Sequence, residues 1–300
     1  MILGQNQYGK AETRVVRITR DGPTHHIKDL TVSVALSGDM ADVHLSGSNA
    51  NVLTTDTTKN TVFAFAKEHG IASAEQFGIR LARHFVTNHD PITRARIRIE
   101  EHTWGRIPTP GPKRHSFVRG RQETRTAQVT HDDGGWEVLT GLKHLTVLNS
   151  TDSEFTGYAK DRYTTLPETR DRVLATEVHA VWRHAAAPGT AEPDPATPWD
   201  GSYERIREHL LQAFATTYSL SLQQTLYRMG ERVLQECPGI DEIRLSLPNK
   251  HHFLVDLEPF GLKNDHEVYY AADRPYGLIE ATVLRDGARP RIPVDVTNLP

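Results

Sequence analysis

The periodicity of this 300-residue sequence predicts an α+β protein built from two similar units. Segments in which apolar and polar residues alternate, as in half-buried strands, are interspersed with segments of helical spacing. The order strand, strand, helix, helix, strand, strand occurs once in each half of the chain. Such grouping favours an antiparallel sheet with helices on one face. We therefore predict two tandem units, 1–133 and 134–300, divided near the turn Asp132–Gly135.

The first half has six predicted elements. They are strands at Arg14–Thr19, Leu30–Leu36, Ala95–Ile99 and Ser116–Val129, and helices at Thr57–Lys67 and Phe77–Phe85. Ser73 and Gln76 have the spacing of a capping box, which predicts that the second helix begins just after Ser73.

The second half repeats this order. The predicted strands are Leu142–Leu148, Leu174–Trp182, Ile243–Leu247, Phe253–Leu257, Glu267–Tyr270 and Leu278–Leu284, and the helices are Tyr203–Phe214 and Leu222–Val233. Between them, Ala185–Pro198 is rich in Ala, Pro and Gly, which is typical of a surface loop.

The stretch Ser246–Phe253 is the most distinctive part of the second half. An amide, a cation and two imidazoles follow Pro248. Because proline cannot donate to a sheet ladder, we expect Pro248 to end one strand and begin the connection to the next. Polar residues carried on such a connection are either a solvated hairpin turn or part of a functional site.

Composition excludes several classes of protein. The formal charge of −3 predicts no strong attraction to nucleic acid or to an anionic membrane, and the basic residues Arg119, Arg121 and Arg125 are expected on a solvated or interfacial strand face. Cys237 is the single cysteine, which suits a reducing compartment. We expect a cytoplasmic protein, because no secretion signal or membrane-spanning apolar run is present. The scattered histidines predict no metal site.

Five longer motifs point to a known family. They are Asn6–Lys10, Thr54–Thr61, Leu145–Thr151, Tyr163–Thr169 followed by Asp171 and Arg172, and Ser246–Phe253. In these motifs the chain resembles the urate oxidases (uricases) of bacterial type over nearly its whole length. The resemblance implies two tunnelling-fold units per chain, each an antiparallel four-stranded sheet with helices on one face, and four identical chains stacked into a barrel with a central tunnel. It also implies oxidation of urate by O2 and water to 5-hydroxyisourate and hydrogen peroxide, with no metal or organic cofactor.

The resemblance assigns the residues that bind urate. Phe155 matches the aromatic residue that stacks on the purine, and Arg172 and Gln223 match the pair that binds the edge of the purine. Thr55, Asp56 and Leu222 match positions whose backbone contacts urate, so the side chain of Leu222 is expected to matter little. Their chemistry suits a flat, anionic purine, since an aromatic ring stacks on it and a guanidinium fork makes two parallel hydrogen bonds.

The resemblance also assigns the proton relay. Lys10, Thr55 and His251 match the catalytic group, and Asn249, with Thr55, matches the site of O2 or water. An ordinary lysine is protonated at neutral pH, so Lys10 needs a lowered pKa to act as a base. In the family each site is shared, with Lys10, Thr55 and Asp56 coming from a neighbouring chain.

Other interpretations remain open at this point. Without the resemblance, Lys10 would be interpreted as a solvated lysine and Phe155 as a core residue. A cyclohydrolase of the same fold is disfavoured because Cys237 has no second zinc ligand at suitable spacing. A non-catalytic purine-binding module is the alternative function, although a binder has no need of a relay.

Overall fold

The computed structural model describes residues 1–22, 24–111, 115–185 and 191–294. It confirms the predicted α+β class, because the described residues form five α-helices and ten strands. Neighbouring strands among Tyr8–Asp21, Thr24–Gly38, Ile92–Glu101 and Thr124–Asp132 pair in antiparallel fashion. The described part of Ala185–Pro198 contains no strand, whereas residues 186–190 of that predicted loop lie outside the described residues. Within the described ranges, no helix combines the length and apolar character needed to cross a membrane.

The contacts divide the chain into two compact units. One comprises Met1–Gly141 with Arg183–Tyr203, and the other comprises Leu142–Trp182 with Glu204–Pro300. Strand β7 (Gly135–Asn149) continues from the first unit into the second.

The first unit is a sheet with two long helices. In chain order its elements are β1 (Tyr8–Asp21), β2 (Thr24–Gly38), α1 (Ala41–Leu45), α2 (Thr55–Glu68), α3 (Ala74–Thr87), β3 (Ile92–Glu101), β4 (Trp104–Arg106), β5 (Phe117–Arg119), β6 (Thr124–Asp132) and the start of β7. The strands hydrogen-bond in the order β1-β2-β3-β6-β7, and β4 pairs with β5 separately. Both long helices begin at caps, since Thr54 accepts from the Thr57 N–H and Ser73 accepts from the Gln76 N–H.

The second unit has the same plan. Its elements are the end of β7, β8 (Leu174–His184), most of α4 (Trp199–Thr216), α5 (Leu222–Glu236), β9 (Ile240–Leu254), a 3₁₀ turn (Glu258–Phe260) and β10 (Tyr269–Leu284). The strands lie in the order β7-β8-β9-β10, and α5 packs on β9 and β10.

Within each unit, one helix packs on its own sheet through a glycine. A Cβ on Gly78 of α3 would lie 2.9 Å from Val129 Cγ2, and a Cβ on Gly230 of α5 would lie 2.6 Å from Val283 Cγ2. Both distances are shorter than carbon–carbon van der Waals contact. The absence of a side chain therefore lets each helix approach its sheet, which supports the predicted duplication of one unit.

The separate strand predicted at Phe253–Leu257 is not formed, because β9 ends at Leu254 and Phe253 is exposed. Elsewhere, alternation correctly predicted buried strand faces. Leu174, Val178 and Trp182 of β8 are buried, as are Ala95 and Ile99 of β3. The capping box at Ser73 is only half formed, because the Gln76 N–H donates to Ser73 whereas Gln76 Oε1 has no hydrogen-bond partner.

The prediction that Pro248 ends a strand is wrong. β9 runs without interruption from Ile240 to Leu254, and Pro248 pairs in register with Leu278 of β10. The irregularity lies instead on the partner strand, where the register shifts between Ala272 and Gly277. A bulge next to a proline relaxes the ladder that the missing N–H would otherwise break. The segments predicted separately as Glu267–Tyr270 and Leu278–Leu284 are accordingly one strand, β10.

Two further predictions about the first half need correction. The segment Ser116–Val129 forms two strands, β5 and β6, rather than one. Arg125 is not on a solvated face, because its side chain is buried and donates to Glu75 at 2.7 Å and to Asp200 at 2.6 Å. Its guanidinium also lies over the Tyr203 ring, 4.7 Å from the centroid. A buried cation needs such partners, and the sequence around Arg125 does not show that they come from distant segments.

Candidate active site

A cavity of about 410 Å³ in the second unit collects six of the nine predicted site residues. They are Phe155, Arg172, Leu222, Gln223, Asn249 and His251. The lining also includes Leu166, Pro167, Thr169, Asp171, Val173, His252, Phe253, Leu254, His266, Tyr269 and Ile279. A cavity of this size with apolar walls and a few convergent polar groups is typical of a small-molecule site.

The loop between β7 and β8 carries the aromatic wall of this cavity. The Phe155 N–H donates to the Thr169 carbonyl at 2.8 Å, and the Thr169 N–H donates back at 3.1 Å. The Phe155 ring stacks on that of Tyr158, with centroids 4.8 Å apart. These contacts fix the ring of Phe155 from one side and leave it as a wall of the cavity.

Arg172 lies on the same loop and is held by Ser153. The Arg172 N–H donates to the Ser153 carbonyl at 3.0 Å, and Nε donates to Ser153 Oγ at 3.2 Å. The guanidinium carbon lies 5.3 Å from the centroid of the Phe155 ring. Burial lowers the pKa of Arg172, yet a guanidinium remains charged at neutral pH. The cavity therefore contains a fixed cation beside an aromatic surface.

Helix α5 contributes Leu222 and Gln223 from its first turn. Ser221 caps the helix by accepting from the Gln224 N–H at 3.2 Å. The side chain of Leu222 is buried, whereas that of Gln223 is exposed. The first N–H groups of a helix have no intrahelical acceptor and favour an anion. The start of α5 therefore offers the cavity both backbone donors and an amide side chain.

Strand β9 contributes Asn249 and His251. Residues two apart in a strand point to the same side, so these two side chains face the cavity together with Phe253. Burial, with the nearby charges of Arg172 and His252, lowers the pKa of His251. His251 is therefore neutral at neutral pH and able to accept a proton.

The other three predicted residues lie in the first unit and are not among those that line this cavity. Lys10 is near the start of β1, and Thr55 and Asp56 begin α2. Tyr8 ties the two segments together, because its hydroxyl accepts from the Leu53 N–H at 3.0 Å.

Lys10 and Asp56 are close enough to interact electrostatically. The hydrogen bond and the charge of Lys59 lower the pKa of Asp56, and the charge of Lys10 adds a smaller effect of the same sign. Gly9 permits the approach of β1 to β2, since a Cβ there would lie 1.9 Å from the Val34 carbonyl oxygen. Lys10 thus lies near Asp56 in the first unit, and Thr55 directly precedes Asp56 in the chain.

Comparison with known proteins decides the family. The family model described as Uricase matches residues 6–130 and 138–280. The chain belongs to the uricase family. This confirms the resemblance drawn from the motifs Asn6–Lys10 and Ser246–Phe253, both of which lie within the matched residues.

Individual uricases extend this match across nearly the whole chain. A uricase from Arthrobacter globiformis is 50% identical over 98% of this chain and 93% of its own length. A uricase from Emericella nidulans is 39% identical over 93% of this chain and 96% of its own. The crystal structure of the Arthrobacter globiformis uricase superimposes with a TM-score of 0.91 at 49% identity, covering 98% of both chains.

Sequence reasoning missed several residues of the uricase cavity. Strand alternation from Asn249 and His251 predicts that Phe253 faces the same cavity. Asp171 directly precedes Arg172 in one of the five motifs. His266 and Tyr269 carry no such signal, because they come from the connection before β10 and from its first residue.

Proposed function

We propose that this chain is a urate oxidase that converts urate, O2 and water into 5-hydroxyisourate and hydrogen peroxide in purine catabolism. Membership of the uricase family supports the reaction, and the observation that carries the assignment to this chain is the cavity that joins Phe155, Arg172 and Gln223. A flat anionic purine needs a stacking face, a cation and directional hydrogen bonds, and these three residues supply them.

Binding and chemistry are assigned to two sets of residues that share Thr55. Phe155 stacks on the purine, Arg172 and Gln223 bind its edge, and the backbones of Thr55, Asp56 and Leu222 complete the contacts. The Leu222 side chain is buried, so it also packs in the apolar face of α5.

The relay consists of Lys10, Thr55 and His251. It removes a proton from urate and leaves an electron-rich dianion. The dianion passes electrons to O2 held between Asn249 and Thr55, and the two combine into a peroxide adduct. Hydrogen peroxide then leaves, and water adds at the same carbon to give 5-hydroxyisourate. The lowered pKa of His251 supports its part in this sequence, because a neutral imidazole accepts a proton.

We further propose that the enzyme works without a metal or organic cofactor and as a homotetramer with shared sites. The placement of Lys10, Thr55 and Asp56 outside the cavity lining supports sharing, since a neighbouring chain would then supply them. Leu166, Phe253 and Leu254 line the cavity and are exposed, which fits a surface that a second copy covers. The single cysteine, Cys237, is consistent with a cytoplasmic location.

The test is to measure urate loss, O2 uptake and hydrogen peroxide together on chelator-treated protein. We expect equal amounts of urate and O2 consumed and of peroxide formed, with activity unchanged by the chelator. Saturable urate binding without turnover would instead make the protein a purine-binding module. Activity restored only by added metal would contradict the cofactor-free reaction.

A further inference from the structure

A second group of chemically active side chains lies outside the cavity. His144 of β7 and Glu177 and His179 of β8 each offer one potential ligand atom, and these atoms lie within 4.8 Å of one another. His144 Nδ1 is 2.9 Å from Glu177 Oε1, and His179 Nε2 is 3.2 Å from the same oxygen. None of the three residues lines the cavity that is assigned to urate.

The backbone explains why these side chains meet. Glu177 and His179 are two apart on β8, so they share the face opposite buried Val178. His144 has a φ of 68°, a left-handed conformation that is rare for a residue other than glycine. This residue breaks the alternation of β7 between buried Leu142 and buried Leu145, and its side chain is 50% exposed.

The two distances from the imidazole nitrogens to Glu177 Oε1 are close to those between ligands of a tetrahedral metal ion. Zinc binds imidazole nitrogen and carboxylate oxygen at about 2.0–2.2 Å, which places neighbouring ligand atoms about 3.3 Å apart. The observed separations of 2.9 and 3.2 Å from Glu177 Oε1 are slightly shorter than that value. The ion would replace the two hydrogen bonds that now join the imidazoles to the carboxylate.

The surroundings also suit an ion. Lys250 donates to the other carboxylate oxygen, Glu177 Oε2, at 2.9 Å, which fixes the orientation of the ligand. A cavity of about 330 Å³ is lined by Glu177, His179 and Lys250 and gives a path of entry. Ligand type, ligand number, distances, an outer contact and access are the features expected of a real site.

We propose that His144, Glu177 and His179 bind one first-row divalent metal ion per chain, with zinc as the reference ion and water in the remaining position. Two imidazoles and one carboxylate suit such ions. The sequence predicted no metal site because its histidines are scattered along the chain, whereas these ligands are brought together from two strands. The ion has no part in the proposed oxidation of urate, since its ligands are not residues of that site.

The test is titration of chelator-treated protein with Zn²⁺ by calorimetry, with the His179→Gln and His144→Gln variants in parallel. We expect saturation at one Zn²⁺ per chain and an affinity at least tenfold weaker in each variant. His26→Gln is the matched control, because His26 is an exposed strand histidine of the first unit, and we expect it to bind as the wild type does. Circular dichroism establishes that each variant is folded.

A spectroscopic measurement separates this site from general binding to surface histidines. With one Cu²⁺ per chain, electron paramagnetic resonance should show coupling to two imidazole nitrogens in the wild type and to one in His179→Gln. No saturable Zn²⁺ binding by the wild type, or equal binding by wild type, His144→Gln and His179→Gln, would overturn the proposal. Urate turnover is not a readout here, so failure of this site and failure of the oxidase function are distinguishable.

Discussion

The guanidinium carbon of Arg172 lies 5.3 Å from the centroid of the Phe155 ring, and both residues are anchored by the same loop. Ser153 accepts from the backbone N–H and from Nε of Arg172, so the two terminal amino groups are the ones we assign to urate. A planar substrate stacked on Phe155 would then meet the edge of the guanidinium fork. In the proposed complex, orientation of the purine would therefore depend on a guanidinium that Ser153 holds in place.

Replacing Arg172 with lysine tests that fork. Lysine keeps the charge but cannot make two parallel hydrogen bonds, and loss of one charge-assisted hydrogen bond costs about 1.5–3 kcal/mol. We expect kcat/KM for urate to fall roughly 10- to 150-fold, since each 1.36 kcal/mol is a factor of ten. Steady-state kinetics with urate as the varied substrate measure this change in kcat/KM. Arg170→Lys, at an exposed arginine two residues away, is the control and should change kcat/KM little.

Gly230→Ala should destabilise the second unit. A Cβ at this position would lie 2.6 Å from Val283 Cγ2 and 3.3 Å from Ile243 Cγ2, so α5 would have to move away from β9 and β10. Overpacking of this kind costs about 1–3 kcal/mol, which exceeds the gain of roughly 1 kcal/mol in helix propensity. Denaturant unfolding measures the change. Gly201→Ala is the matched control, because its nearest contact would be at 4.0 Å, and we expect it to be neutral or stabilising.

His184 should make the first unit less stable in mild acid. Its Nε2 is 3.0 Å from Thr140 Oγ1, and burial, with the nearby charge of Arg125, lowers the pKa of His184 from 6.5 to about 4. The unfolded chain binds more protons than the folded chain between these values, so stability falls as the pH decreases from 6.5 to 4. The full loss is about 3 kcal/mol at 1.36 kcal/mol per pH unit. His184→Gln should decline less between pH 7 and pH 4.5 in denaturant unfolding, and an equal decline would contradict this assignment.

Mixed oligomers test the sharing of sites between chains. Lys10→Met and Arg172→Met each remove one half of a shared site, so each homo-oligomer should be nearly inactive. After the two are unfolded and refolded together in equal amounts, about one quarter of the sites should receive an intact residue from each partner. Recovery of roughly a quarter of the wild-type rate supports sharing. No recovery, with hybrid oligomers demonstrated by native mass spectrometry, would place each complete site within one chain.

The fold was largely predictable because alternation and helical spacing report burial directly. Leu174–Trp182 shows this, since every second residue of that predicted strand is buried. Pro248 shows the limit, because its effect on β9 depends on a bulge in β10 that no local pattern reveals. Strands β4 and β5 have three residues each, which is too short for alternation to be recognised.

The six predicted residues that line the candidate site were indicated by motifs and not by periodicity. Phe155, Gln223 and His251 come from a loop, a helix and a strand, and only the folded chain brings them to one cavity. No spacing rule links them. The contact between His144 and Glu177 was not predictable for the same reason. It depends on the pairing of two strands and on one left-handed residue.

We propose that Arg172 and Phe155 bind urate while Lys10 drives its oxidation. The most direct measurement is a comparison of urate affinity and turnover in the wild type, in Lys10→Met and in the control Lys59→Met, a lysine of α2 that pairs with Asp56. We expect Lys10→Met to bind urate within a few-fold of the wild type and to lose at least about 100-fold in kcat, the range typical of a missing general base. Lys59→Met should keep most of its kcat. Near-normal turnover by Lys10→Met would contradict the account.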